Sequence, residues 1–388
     1  MRFDTAYDDW RSGRLTQEEA ARLLNVHERT FRRYINRYHE DGQQGLLDKR
    51  ISEVSRRRAP ADEVLRLETL YKTRYDGWKV KHFYSFYKSH HCGSRSYTWV
   101  KNRLQSAGLV TKAKGKGRHR KRRERSPMPG MMLHQDASTH LWVPGVYWDL
   151  VVTMDDVTSE HYSMFFVDEE GTFSSMLGVQ QVLERQGLFC SLYTDRGSHY
   201  WTTPEAGGKV SKTERTQFGR AMDELGIEMI AAYSPEARGR SERAFSTHQQ
   251  RLPKELALYG IKTMADANRY LQDCYLPAFN AEFACKPAID DSAFVPLIGH
   301  RHEEVLCEHF PRTVDRDNTV AFAGKKLQIP SSRDRAHYMR VRVRVHRYID
   351  QSLAIFHGPK CLARYNKEGD LTHPVTQTTV EGPQRQVR

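Results

Sequence analysis

The apolar positions of this chain change period along its length, and each change predicts a different kind of element. From Thr16 to about His39 they recur at helical spacing. Ala20, Leu23 and Leu24 share one face of a first helix that breaks at Asn25-Val26-His27, and Phe31, Ile35 and Tyr38 share one face of a second that begins near Glu28. Thr16 is an N-cap candidate, with Glu19 three residues on completing a capping box. Residues 62–110 predict three more helices, from Asp62 to Tyr75, Val80 to Lys88 and Ser96 to Ser106, punctuated by Gly77-Trp78 and Cys92-Gly93-Ser94.

From residue 131 strands alternate with helices. MLHQDAS reads as a strand ending in an acid; VYWDLVVTMDD and HYSMFFVDEE read as a hairpin turning near Val157-Thr158-Ser159. A helix from Thr172 to Gln186, the strand LFCSLYTDRG, a helix over 212–225, the strand IEMIAAYSP and a long helix from about Ser241 through Leu258 follow. This βββαβαβα order predicts a mixed sheet with helices on its faces. Near the end the period returns to two: in MRVRVRVHRYI, Val341, Val343 and Val345 alternate with Arg340, Arg342 and Arg344, a half-buried strand with a cationic outer face. With NTVAFAGKKLQIP and SLAIFHGPKCLARY it suggests a small barrel. The chain thus divides into a helix-turn-helix domain (1–55), a second helical domain (60–110), a linker (111–128), an α/β core with a mixed sheet (129–300), a small β-barrel (305–365) and a polar tail (366–388).

Charge sharpens this division. Residues 1–130 hold 31 Lys/Arg against 15 Asp/Glu, residues 131–300 hold 14 against 23, and residues 301–388 hold 16 against 10, giving +16, −9 and +6. An acidic middle between basic ends fits a core whose carboxylates gather cations, flanked by modules that grip phosphate. The second helix of the first domain carries Arg29, Arg32, Arg33, Asn36 and Arg37 mostly away from its apolar face, as a helix entering a major groove would. In the second helical domain Arg95, Tyr97, Lys101, Asn102 and Arg103 are the corresponding candidates. TKAKGKGRHRKRRER (111–125) holds nine Lys/Arg and one acid, Arg118, Arg120, Lys121, Arg122 and Arg123 among them, and reads as an arm lying along phosphates. Six scattered cysteines without a CxxC pair argue against a disulfide framework and a cysteine-rich zinc site. Mean hydropathy is −0.73 and the N-terminus has no apolar leader, so the expected location is the cytoplasm, with no membrane partner.

Three acids stand where chemistry could use them: Asp136 in HQDAS, Asp195 in YTDRGSHY and Glu242 in SPEARGRSERAF. Strand ends and a helix start in a mixed sheet can converge on one cleft. Three carboxylates brought together repel one another unless cations lie between them. Two Mg²⁺ ions, for which Mn²⁺ can substitute, would relieve that repulsion and drive an in-line displacement at phosphorus. Asp155 and Asp156 read instead as caps of the hairpin turn, and Glu236 as a loop residue before the long helix. Arg196, Ser198 and His199 follow the second acid; Arg238, Arg240 and Arg243 flank the third and could clamp a strand. His248, Arg251 and Lys254 would continue a basic ridge along the long helix.

HQDAS, YTDRGSHY and YSPEARGRSERAFSTHQQRL resemble the three motifs of the DDE transposase and retroviral-integrase superfamily, most of all bacterial insertion-sequence transposases of the ISNCY kind. The most specific part is Tyr233-Ser234-Pro235, Gly239 and Glu242. The 46 residues between Asp195 and Glu242 exceed the family's usual gap, and TTPEAGGKVSKTERT has the composition of an insertion. The resemblance implies an RNase H-like core with Asp136, Asp195 and Glu242 as metal-holding catalytic residues. It also implies binding of double-stranded DNA at an element's terminal inverted repeats, transfer of 3′ ends to target DNA, and a dimer or larger assembly acting at the bacterial nucleoid. The alternative is a helix-turn-helix transcriptional repressor without nuclease activity.

Overall fold

Aromatic residues near the N-terminus build a small three-helix element. The helices are α1 (Phe3–Arg11), α2 (Gln17–Leu23) and α3 (Glu28–Asp41). In this computed structural model, which describes residues 2–48, 58–112, 124–204, 208–211, 213–233, 235–298, 302–331 and 335–374, the Thr16 hydroxyl accepts from Glu19 N while the Glu19 carboxylate accepts from Thr16 N at 2.8 Å. The expected capping box is present and sets the start of α2. Phe31 and Ile35 of α3 are buried as the period required, beside Ala20 and Ala21. Helix α1 was not anticipated. Its Phe3 and Tyr7, one turn apart, stack at 5.8 Å, and Phe3 meets Phe31 at 6.0 Å, so α1 closes the core of the α2–α3 pair. A 3-10 turn, Gly42–Leu46, then folds back on α3; a Cβ on Gly45 would lie 2.1 Å from Arg37 O, so only glycine fits there.

The chain falls into two compact units: Met1–Gly77 with His90–Lys112, and Trp78–Ser89 with Ala113–Arg388. The first also holds α4 (Ala61–Arg74) and α6 (Tyr97–Ser106), which Arg95 and Arg103 join by ion pairs to Glu63 and Glu68. Most of α5 (Val80–His90) groups with the second unit, where buried His82 stacks on Trp78 at 3.9 Å and meets the Glu255 carboxylate at 2.6 Å.

The second unit is built on a five-stranded sheet of β1 (Leu133–Val143), β2 (Val146–Asp155), β3 (His161–Val167), β4 (Ser191–Thr194) and β5 (Glu228–Ala231), in the order β3-β2-β1-β4-β5. The first three strands are antiparallel, and β4 and β5 run parallel to β1, the expected mixed sheet. Helices α7 (Thr172–Arg185) and α8 (Gln217–Leu225) cover one face, where Val179, Val182, Phe218 and Met222 pack with Leu133 and Leu192. Helices α9 (Pro235–Leu258), α10 (Met264–Tyr270) and α11 (Leu276–Phe283) cover the other, where Phe245, Leu252 and Phe279 pack with Leu150, Val152 and Phe166. Because both faces are covered, β2 is buried along most of its length and reads as a nearly continuous apolar run. Each fully buried side chain of the Phe166 or Leu252 type contributes about 1.5–3 kcal/mol.

A short α12 (His302–Val305) leads into β6 (Glu308–Thr313), β7 (Thr319–Phe322), β8 (Lys325–Gln328), β9 (Arg342–Arg347), β10 (Leu353–His357), β11 (Lys360–Tyr365) and β12 (Leu371–Pro374). The alternation expected in β9 is there: Val343 and Val345 are buried, Arg342 and Arg344 exposed. The small β-barrel is not. The described strands form an open sheet, β12-β11-β10-β9-β6, plus a separate β7–β8 hairpin. Closure would need β6 to pair with β12. Instead the hairpin caps the core, setting Val320, Phe322 and Leu327 against Val345 and Ile355, and both outer strands stay edges. No helix among the described residues is long and apolar enough to cross a membrane.

Candidate active site

Register relates the first two acids. Strand β1 pairs in parallel with β4, Leu133 opposite Leu192 and His134 opposite Tyr193. Asp136 stands two residues beyond His134 on β1, and Asp195, which follows β4 directly, stands two residues beyond Tyr193. Asp136 is not the end of its strand, as expected, but its fourth residue, because β1 runs on to Val143 as the long partner of β2. Its Cα partner is Val152, which belongs to the core under α9, so Asp136 lies on the α9 face.

Local hydrogen bonds fix both carboxylates. Asp136 Oδ1 accepts from Ala137 N at 3.1 Å, and Asp195 Oδ1 accepts from Gly197 N at 2.8 Å. Space is tight at Gly197: a Cβ there would sit 3.0 Å from that same Oδ1 and 3.0 Å from the His199 ring, so one of them would have to give by a few tenths of an ångström. Asp136 is buried, at 8% exposed, and Asp195 is half-buried beside a mostly buried strand pair.

Two contacts fix the course of α9. Arg240 donates to Asp156 O, next to the start of β1, and Gln249 Nε2 donates to Ser138 Oγ at 2.9 Å. The helix therefore runs along β1 in the strand's own direction. Glu242 lies between these anchors on the face of Gln249, two turns before it, and is exposed. Asp136 lies between the same anchors on β1. Glu242 does not open the helix as expected; α9 begins at Pro235, so Glu236 is helical rather than in a loop.

Behind the acid pair, on the α7 face, lies a polar group that the sequence pattern did not single out. The fully buried Tyr200 hydroxyl is 3.1 Å from Gln135 Oε1, 3.2 Å from Glu170 Oε1 and 3.2 Å from Ser175 Oγ. Burial first, and then the charge of Glu170, hold this phenol far above its ordinary range; a hydrogen bond from Ser175 opposes them, and the charges of Asp136 and Asp195 add to the rise. The two acids thus act on one phenol, which stays a neutral hydrogen-bond donor. Tyr200 closes the motif YTDRGSHY and Gln135 precedes Asp136, so the signal was adjacency to the acids.

Asp155 and Asp156 are saturated as turn residues. Asp155 accepts from Val157 N, Thr158 N and Gly130 N, and Asp156 from Ser126 N and from His134 at 2.8 Å. Arg240 also pairs with Asp156 and donates to Glu124 O, which makes it a brace under the start of β1 rather than an outward clamp; Arg243 is exposed. The basic ridge expected beyond Glu242 turns inward. His248 is fully buried against His161 and Tyr275, with burial pushing its imidazole well below the ordinary range, and Arg251 forms a two-point ion pair with Glu282.

Among the expected DNA-facing residues, Arg29, Arg32 and Arg33 are exposed on α3 and Arg37 is half-buried; Arg32 also pairs with Glu28 at 2.8 Å. Lys101 is half-buried, and the Arg95 and Arg103 guanidinium groups are engaged by Glu63 and Glu68. Arg118, Arg120, Lys121, Arg122 and Arg123 lie outside the described residues.

The family described as "Winged helix-turn helix" matches residues 6–63, from within α1 through α3 to the start of α4. Across 369 residues the chain is 28% identical to a protein of Sinorhizobium fredii named "Putative transposase y4bF", covering 93% of this chain and 80% of that one. Across 215 residues it is 28% identical to the transposase for insertion sequence IS1202 of Streptococcus pneumoniae, covering 55% of this chain and 45% of that one. A solved simian T-cell lymphotropic virus intasome, in complex with PP2A regulatory subunit B56 gamma, matches 77% of this chain and 99% of its own at 13% identity and a TM-score of 0.36. The HTLV-2 integrase catalytic core domain in complex with magnesium matches 38% and 87% at 15% identity and a TM-score of 0.30. The two curated relatives share one kind of name, and the N-terminal helices match a DNA-binding family: the chain is recognised as a relative of the bacterial insertion-sequence transposases.

Proposed function

We propose that this chain is an acidic-triad DNA transposase that binds the terminal inverted repeats of a mobile element, cleaves at their 3′ ends and joins those ends to target DNA. The observation that supports the reading is the parallel β1–β4 register, which runs toward Asp136 and Asp195, with α9 and its Glu242 passing along β1.

The donors fit a hard divalent cation. All three candidates offer carboxylate oxygens, the donors such a cation takes. Asp136, Asp195 and Glu242 would hold two Mg²⁺, or Mn²⁺ in their place. When bound, such ions supply an activated water or 3′-hydroxyl and stabilise the leaving oxygen at phosphorus. The protein's own part is positional. The amides of Ala137 and Gly197 hold one oxygen of each aspartate; Gln135 and Tyr200 form the backing; Arg240 ties α9 to the turn between β2 and β3.

The exposed arginines of α3 would enter a major groove, phosphate contacts supplying affinity and base contacts register. Because two element ends must meet before joining, the acting species would be a dimer or larger assembly on DNA. The test is a joining reaction of the full-length protein with duplexes carrying the element's own termini and a plasmid target. Joined product is expected in Mg²⁺ or Mn²⁺ and none in chelator. Tight end binding with no cleavage in either metal would favour the repressor reading instead.

A further inference from the structure

One residue of β9 breaks that strand's alternation. Val343 and Val345 point into the C-terminal core and Arg342 and Arg344 into solvent, so His346 should be exposed; it is 3% exposed. Its partner across the β6–β9 ladder is His309, 8% exposed, and the two rings stack at 3.9 Å. Two residues before His309, on the same side of the chain, stands Cys307, fully buried. The Cys307 thiol and the two imidazoles thus meet on the outer face of the C-terminal sheet, each offering a ligand atom, all within 4.8 Å of one another.

These groups are poorly explained as packing. Both His346 ring nitrogens and His309 Nδ1 are buried without a hydrogen-bond partner, although His346 Nδ1 approaches Glu304 Oε2 to 3.4 Å. Buried polar atoms left unsatisfied cost free energy, and three of them around one buried thiol call for a ligand. The protein covers this spot from the catalytic side. Arg220 of α8 donates to Val305 O and Cys307 O, and Gln217 of α8 donates to His309 O while its own oxygen accepts from His309 N.

We propose that Cys307, His309 and His346 form a metal site for a borderline first-row cation of the Zn²⁺ class. One thiolate and two imidazoles suit Zn²⁺, whereas the carboxylate triad suits Mg²⁺, so the two sites would sort their metals by donor type. The site joins the start of β6 to β9 beside α8. A bound ion would tie these two strands together without taking part in strand transfer. On binding, the thiol proton leaves to solvent and both imidazoles bind as neutral rings.

The test uses the full-length protein, purified without a metal-affinity tag and dialysed against weak chelator. Elemental analysis should find about one equivalent of Zn²⁺ per chain. Cys307→Ser and His346→Gln should each lose most of it, and Asp195→Asn should keep it. Because a core variant can fail to fold, Co²⁺ is titrated into the metal-free wild-type protein as a second readout. The expected signature is a thiolate-to-Co²⁺ charge-transfer band that saturates at one equivalent, with tetrahedral visible bands that Zn²⁺ displaces. Retention of Zn²⁺ by both variants would overturn the proposal, as would Co²⁺ binding with no thiolate band.

Discussion

Asp195→Asn should leave the binding of element ends unchanged and lower strand transfer by about a thousandfold or more, several kcal/mol of transition-state stabilisation. The substitution suits the question because Asn keeps an Oδ1 that can still accept from Gly197 N, so the turn after β4 should survive. What it removes is one negative charge beside Asp136. Asp136→Asn should behave alike, since Asn Oδ1 can accept from Ala137 N in the same way. If the pair acts as a unit, the double variant will lose little more than either single one, because the second loss falls on a site already disabled. The checks are joined product per unit time in Mg²⁺, and end-duplex binding measured separately. Joining near the wild-type rate in either single variant would remove that aspartate from the metal site.

Salt should separate the binding module from the chemistry just as sharply. If the protein neutralises six to ten phosphates, raising salt from 50 to 200 mM should cost roughly 10³–10⁵ in affinity for any duplex, through counterion release. Replacing Arg29 and Arg33 with alanine should shallow the salt slope by about one unit for each phosphate that α3 then leaves unneutralised. Both are exposed on α3, while Phe31 and Ile35 hold that helix from its other face, so the fold should not suffer. Arg32 is the weaker choice because Glu28 already pairs with it. An arginine reading a base edge would show differently, as a loss of about 1–3 kcal/mol for the element's own termini and little for scrambled sequence. Titration of the full-length protein against both duplexes at two salt concentrations reads both effects. An unchanged slope in the double variant would move DNA binding to another surface.

What could be read from the sequence was local. The Thr16–Glu19 capping box, the Phe31–Ile35 face and the Val343–Val345 alternation depend only on neighbours a few residues apart, and all are present. The order of strands and helices in the core was legible for the same reason as far as Leu258, whereas α10 and α11 were not anticipated. Where long-range pairing decides, local pattern falls short. Asp136 looked like a strand end because its motif turns polar, but β2 pairs with β1 as far as Val143. The alternating C-terminal strands suited a barrel, yet only pairing tells whether β6 meets β12, and it does not. His248 and Arg251 looked like part of a basic ridge at helical spacing; Tyr275 and Glu282, from segments later in the chain, give them buried partners. Cys307, His309 and His346 could not be associated at all without the β6–β9 register.

The central claim is that Asp136, Asp195 and Glu242 hold metal together, and metal-directed cleavage of the protein backbone tests it most directly. Fe²⁺ replaces Mg²⁺ in the full-length protein, and ascorbate with peroxide generates radicals that cut the chain beside the bound ion. The account predicts three clusters of cuts, around residues 136, 195 and 242, all suppressed by excess Mg²⁺ and all lost together in Asp195→Asn; cuts near Cys307 would be a separate event that Mg²⁺ does not suppress. Cuts at only one of the three positions, or a set that survives Asp195→Asn unchanged, would contradict it.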